Sequence, residues 1–178
     1  VLKDGLIPVK LSDDGTVTYA DTSKVWYNYC DKVWANAVIL NSSASYKVGD
    51  TIKESDIQSY FVWIPKYKYK LWNTGTASKN IHEIDIVFDT TNTTDISGVS
   101  CKTPMTSGSS GNCKNGEYMT HPAFISMGVN GFWAGKLETG YKGATSATTA
   151  QVNSSDSSKI IVKPNSYSWR NSTVMNMF

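Results

Sequence analysis

Charge is scarce in this 178-residue sequence: Asp, Glu, Lys and Arg together make up 18%, and the net charge is +2. The 17 basic residues are scattered, and so weak a field does not draw a polyanion by counterion release, which argues against a nucleic-acid partner. Long hydrophobic runs are missing too. The longest, such as Ala37 to Leu40, fall far short of the roughly 20 residues that cross a bilayer, so no membrane span is expected. Histidine is limited to His82 and His121, and cysteine to Cys30, Cys101 and Cys113. Zinc needs three or four closely arranged Cys or His ligands, and no such spacing occurs, so neither a metal nor another cofactor has a signal. Phosphate-cradling glycine loops and the Gly-x-Ser-x-Gly elbow are absent as well. The first residue is Val1 rather than Met, which reads as a chain cut from a longer product whose anchor or export signal lies elsewhere.

Hydroxyl and amide groups stand where charge usually would. Ser, Thr and Asn supply 53 of the 178 residues. The four Asn-x-Ser/Thr sequons at Asn41, Asn92, Asn153 and Asn171 are what such a composition yields by chance. Cys101 and Cys113 bracket a Gly/Ser/Thr/Pro loop of the kind a disulfide closes, a link worth about 2–3 kcal/mol through the unfolded state. Disulfides persist outside the cytosol, so the expected setting is extracellular or at the cell surface. Cys30 reads as a small apolar core residue among Trp26, Tyr27, Tyr29 and Val33, with a reactive thiol as the alternative.

Short apolar runs alternate with turn chemistry along the first fifty residues. Leu6 to Val9, the turn Ser12-Asp13-Asp14-Gly15 and Thr16 to Tyr19 read as a hairpin. Trp26 to Tyr29 and Val33 to Val38 read as two more strands around Asp31-Lys32, making a small β-meander. Ser55 or Asp56 caps one helical turn at most. Phe61 to Ile64, closed by Pro65, suits a buried strand. Tyr67 to Leu71 alternates ring and lysine as a half-exposed strand, with an unpaired edge, and Ile84 to Phe88 alternates similarly. Thr90 to Asn115 and Thr145 to Ser158 are low-complexity loops, and Ile160 to Val162 is a last strand.

Several of these segments resemble a known pattern. The strand Phe61-Val62-Trp63-Ile64-Pro65, then His121-Pro122-Ala123-Phe124, then Gly131-Phe132-Trp133-Ala134-Gly135-Lys136-Leu137-Glu138-Thr139, and finally Pro164-Asn165 and Ser168-Trp169-Arg170 are similar in order and spacing to formylglycine-generating enzyme-like domains. Those share a variant of the C-type lectin fold and carry a buried helical region at the last position. The whole chain resembles surface or prophage-encoded proteins of gut Firmicutes in which a β-rich segment precedes this domain. The resemblance implies an α+β, β-dominated fold, with residues 1–59 as the β-rich segment and residues 60–178 as a lectin-like domain incomplete at its C-terminus. The family's catalytic cysteine pair belongs to a half that would follow Phe178, so the resemblance implies fold and no catalytic residue here.

Single residues add little chemistry. Lys136 and Glu138 read as a structural ion pair or a charge-to-backbone contact, His82 beside Glu83 as a solvated strand edge, and His121 as a structural histidine held extended by Pro122. The 6 tryptophans and 10 tyrosines are more informative, because an exposed ring beside an amide is how proteins stack on sugars. Two patches qualify, Trp26-Tyr27-Asn28-Tyr29 and Tyr167 with Trp169 and Arg170, core packing being the competing account of each. The leading expectation is a non-enzymatic recognition or adhesion module binding carbohydrate or a host or cell-surface protein. The alternative is a structural subunit of a surface filament or pilus-like assembly with homotypic contacts. A formylglycine-generating enzyme ranks third.

Overall fold

The first hairpin forms where turn chemistry places it. A computed structural model describes residues 2–41, 43–70, 85–88, 119–120, 122–145 and 156–170. Strands β1 (Ile7–Leu11) and β2 (Val17–Tyr19) pair antiparallel with Val9 opposite Tyr19. The turn between them is closed by Gly15 N–H donating to Ser12 O at 2.9 Å and Thr16 N–H donating to Asp14 Oδ1 at 2.9 Å. Gly15 takes φ +85°, the left-handed conformation that a side chain disfavours.

Strands β3 (Asn36–Leu40), β4 (Ile57–Pro65) and β8 (Gly131–Gly135) extend this hairpin into a five-stranded sheet of order β2-β1-β3-β4-β8. β3 therefore lies beside β1, and the expected meander is corrected to two hairpins joined through β1 and β3. The outer edge of β2 is already taken: Tyr19 N–H donates to Asp50 O at 2.9 Å and Ile52 N–H to Val17 O at 2.8 Å. β3, with Asn36, Ala37 and Val38 buried in succession, fits an interior position that needs a neighbour on each side.

Trp26 to Tyr29 does not form the expected strand. One bridge, Asn28 to Val33, is followed inward by a 3-10 turn at Tyr29–Asp31, and Lys32 closes it with φ +61°. A longer ladder would hold successive rings on opposite faces, whereas here Trp26, Tyr27 and Tyr29 meet edge to face.

The chain divides into two compact units, one of residues 1–22, 35–62 and 134–178, the other of residues 23–34 and 63–133. The position between residues 59 and 60, where the sequence places its domain boundary, falls inside β4. In the first unit Val9, Val17, Val38, Ile52, Ile57 and Tyr60 make the core. A two-stranded ribbon, β9 (Gly140–Tyr141) with β10 (Ile160–Ile161), is tied to β4 by Val162 N–H donating to Ser59 Oγ at 3.0 Å and Tyr60 N–H donating to Val162 O at 2.9 Å. Lys136 lies past the end of β8, and its Nζ donates to the buried Asn36 Oδ1 at 2.8 Å instead of pairing with Glu138. Burial holds the Lys136 ammonium below its usual pKa. Residues 164–170 form a turn, with Asn165 at φ +55°, and an isolated bridge from Ser168 to Gly140, not a helical region.

In the second unit β5 (Tyr67–Lys70) sits between β6 (Asp85–Phe88) and β7 (Met119–Thr120). β5 is thus a central strand, which corrects the reading of this segment as an unpaired edge. Phe61 to Ile64 is half-buried, not buried; the fully covered residue at that end of β4 is Pro65. The short helix α1 (Pro122–Ser126) starts on proline, whose missing N–H is no loss at a first helical position. The protein is β-dominated, and no helix among the described residues is long and apolar enough to cross a membrane.

Candidate functional site

The first aromatic patch belongs to the second unit. Tyr29 lies edge to face with Tyr27, Trp34 and Phe88, at centroid distances of 5.7, 5.1 and 5.3 Å. Its hydroxyl donates to Trp63 O at 2.6 Å. Trp26 and Tyr29 are buried, while Tyr27 and Asn28 are half-buried. Rings engaged on their faces and edges in this way fill a core and leave little π-surface for a ligand.

The second patch lies in the first unit, on the segment bridged to β9 through Ser168 and Gly140. Trp169 stacks on Tyr141 at 6.3 Å, its backbone N–H donates to Thr139 O at 2.8 Å, and its buried Nε1 has no hydrogen-bond partner among the described residues. Arg170 Nη2 donates to Thr145 O at 3.2 Å, and the Tyr167 ring is 49% exposed. Tyr167, Trp169 and Arg170 therefore lie on one segment beside β9, and the Trp26 to Tyr29 group lies in the other unit.

The β9–β10 ribbon forms one wall of a polar cleft of about 180 Å³ in the first unit. Asn41, Ser55, Ile57 and Gln58 line one side; Lys142, Ser158, Ile161 and Lys163 line the other. The walls are joined because β4 and β10 run together at Ser59 and Val162. Gln58 Nε2 reaches across to Ile160 O at 3.4 Å, and Asn41 Nδ2 donates to Ser55 O at 2.8 Å. Each amide thereby commits one of its two N–H donors and keeps a carbonyl oxygen for other donors.

The carboxylates beside the cleft are already engaged. Glu54 accepts the Tyr60 hydroxyl and pairs with Lys163 Nζ at 3.4 Å, while Lys163 also donates to Glu54 O at 2.7 Å. Burial, and then Glu54, pushes the Tyr60 phenol well above its usual pKa. Asp56 accepts Tyr46 Oη at 2.6 Å and Ser55 Oγ at 3.0 Å, and these two bonds hold it below the usual carboxylate range. Asp156 accepts Ser158 Oγ and lies 3.7 Å from Lys159 Nζ. Lys142 differs: its backbone N–H donates to Lys159 O at 2.8 Å, but no described group pairs with its ammonium. The lining thus offers amide oxygens, hydroxyls and a charged donor beside Ile57 and Ile161, groups that hold a polar ligand by hydrogen bonds and charge.

A second concavity, in the second unit, is chemically different. It measures about 370 Å³ and is lined by Tyr67, Ala123, Phe124, Met127, Val129, Gly131 and Phe132. Phe124 packs edge on to Tyr67 at 5.2 Å and stacks with Phe132 at 6.0 Å. On β5 Lys68 follows Tyr67, so strand periodicity puts it on the opposite face. This groove suits an apolar side chain.

Cys101, Cys113, His82, Glu83 and His121 lie outside the described residues, as does the side chain of Cys30. Among the described residues no group of three or more His, Cys, Asp or Glu is placed to hold a metal ion. No family model, curated protein or solved structure matches this chain. The cleft residues were invisible to sequence reasoning because they come from separate segments around 41, 55–58, 142 and 158–163, and only the β4–β10 contact assembles them. Lys142 carries no motif of its own.

Proposed function

We propose that this chain is a non-enzymatic, surface-displayed recognition module of lectin-like type that binds carbohydrate in the polar cleft of its first unit. The observation that carries this reading is one small cleft in which, among the described residues, the side-chain oxygens of Asn41 and Gln58 and the ammonium of Lys142 have no partner. A sugar hydroxyl both donates and accepts, and such a lining meets both needs. The cleft has the volume of roughly six liquid waters, the scale of one sugar ring. Titration of the labelled protein with a panel of monosaccharides, followed by amide NMR, tests it. Shifts confined to Asn41, Gln58, Ser158 and their neighbours at millimolar sugar are expected. The absence of any saturable shift with every sugar refutes it.

A second reading, homotypic assembly into a surface filament, is favoured by one observation. Beside the apolar groove Ile125, Met127 and Phe132 are exposed, Met127 by 70%, a patch that self-association would cover. Light scattering over a hundredfold concentration range decides it. Growth abolished by Phe132→Ser supports the filament, and a monodisperse monomer throughout removes it.

A further inference from the structure

We infer that the polar cleft selects an acidic sugar, a pyranose-sized polyol bearing a carboxylate, through Lys142. The inference rests on the carbohydrate reading above and adds the ligand's charge. Besides Lys142, Lys163 lines the cleft and Glu54, Asp56, Asp156 and Lys159 lie near it, and each of these has a partner within the fold. Glu54 is held by Tyr60 and Lys163, Asp56 by Tyr46 and Ser55, and Asp156 by Ser158 and Lys159. The only described charge that lines the cleft and lacks a partner is cationic.

That imbalance has a chemical consequence. A carboxylate entering the cleft meets Lys142 without displacing an existing ion pair, whereas a cationic ligand finds no unengaged carboxylate among the lining residues. The remaining hydroxyls of the same ligand can donate to Asn41 Oδ1 and Gln58 Oε1, which their own amide N–H bonds hold in place. Charge-assisted bonds are about twice as strong as neutral ones, so Lys142 supplies the discrimination and the amides supply the sugar contact. Lys142 is anchored through its backbone N–H, at 2.8 Å from Lys159 O, so its side chain can be changed without removing that tie.

The test is titration of the whole chain, at low ionic strength, with glucuronic, galacturonic and mannuronic acids and with their neutral parents glucose, galactose and mannose. At least one uronic acid is expected to bind about tenfold more tightly than its parent, and Lys142→Gln is expected to bring the pair to equal affinity while keeping the neutral sugar. Equal binding of acid and parent by the native chain overturns the acidic selectivity and leaves the carbohydrate reading standing. A preference that survives Lys142→Gln overturns the role of Lys142. Binding of no sugar at all removes the reading and this inference together. The amide spectrum of Lys142→Gln without sugar, superimposable on that of the native chain outside its neighbours, shows that any loss is local.

Discussion

Gly131→Ala probes a close backbone approach in the second unit. A Cβ built at Gly131 would lie 2.5 Å from Ile64 O and 2.5 Å from the Trp63 ring, and the residue has φ +152°. The oxygen belongs to β4 and cannot turn aside; the ring can, but only by giving up its edge-to-face contact with Trp133, at 5.5 Å. Overpacking costs about 1–3 kcal/mol and a strained backbone about 1–3 kcal/mol, so the variant should lose about 3–5 kcal/mol. Gly128→Ala is the control in the same unit, because Gly128 also has positive φ, at +61°, yet has nothing within 4 Å of its added Cβ. It should lose only the left-handed penalty, about 1–2 kcal/mol. Because the chain divides into two units, a single global transition is not assumed. The signal to follow in urea is the Trp63 indole resonance, which reports the second unit. If the two variants unfold at the same urea concentration, close approach is not what the glycine at 131 serves, and the reasoning fails.

Three further outcomes follow from the packing. Tyr29→Phe removes the bond to Trp63 O, 2.6 Å long and partly buried, and should cost about 1–2 kcal/mol, measured by the same resonance; an unchanged midpoint would show that the bond adds nothing net. Val38→Ala, at a fully buried core position of β3, should cost about 2–3 kcal/mol from lost transfer and a residual cavity, read in urea from β3 amide resonances of the first unit. Tyr46→Phe tests pH linkage: Asp56 is held below the ordinary carboxylate value of 3.8 by Tyr46 and then Ser55, so its contribution is present above that value and is lost as pH falls through the lower folded one. The stability gap between native chain and variant should therefore be full at pH 7 and close on acidification below about pH 4; a gap that stays constant would place the effect of Tyr46 in packing.

Local chemistry in the sequence settled the first hairpin, since Ser12-Asp13-Asp14-Gly15 supplies both a side-chain acceptor and a residue that tolerates positive φ. Alternation settled β5 and β6, and the want of any long periodic apolar stripe settled the predominance of strand over helix. These are short-range effects, readable within a few residues. Partner choice was decided elsewhere. β3 pairs with β1 while the segment around Asp50 covers the other edge of β2, and β5 is central because chain some fifty residues away returns to pair with it. Trp26 and Tyr29 looked like a binding face in sequence, but burial of Trp26 against Tyr27 and of Tyr29 against Trp34 and Phe88 made them core. The cleft followed the same rule. Asn41, Gln58 and Lys142 have no spacing to betray them, and a site built from segments a hundred residues apart exists only once backbone hydrogen bonds between β4 and Val162 have closed the distance.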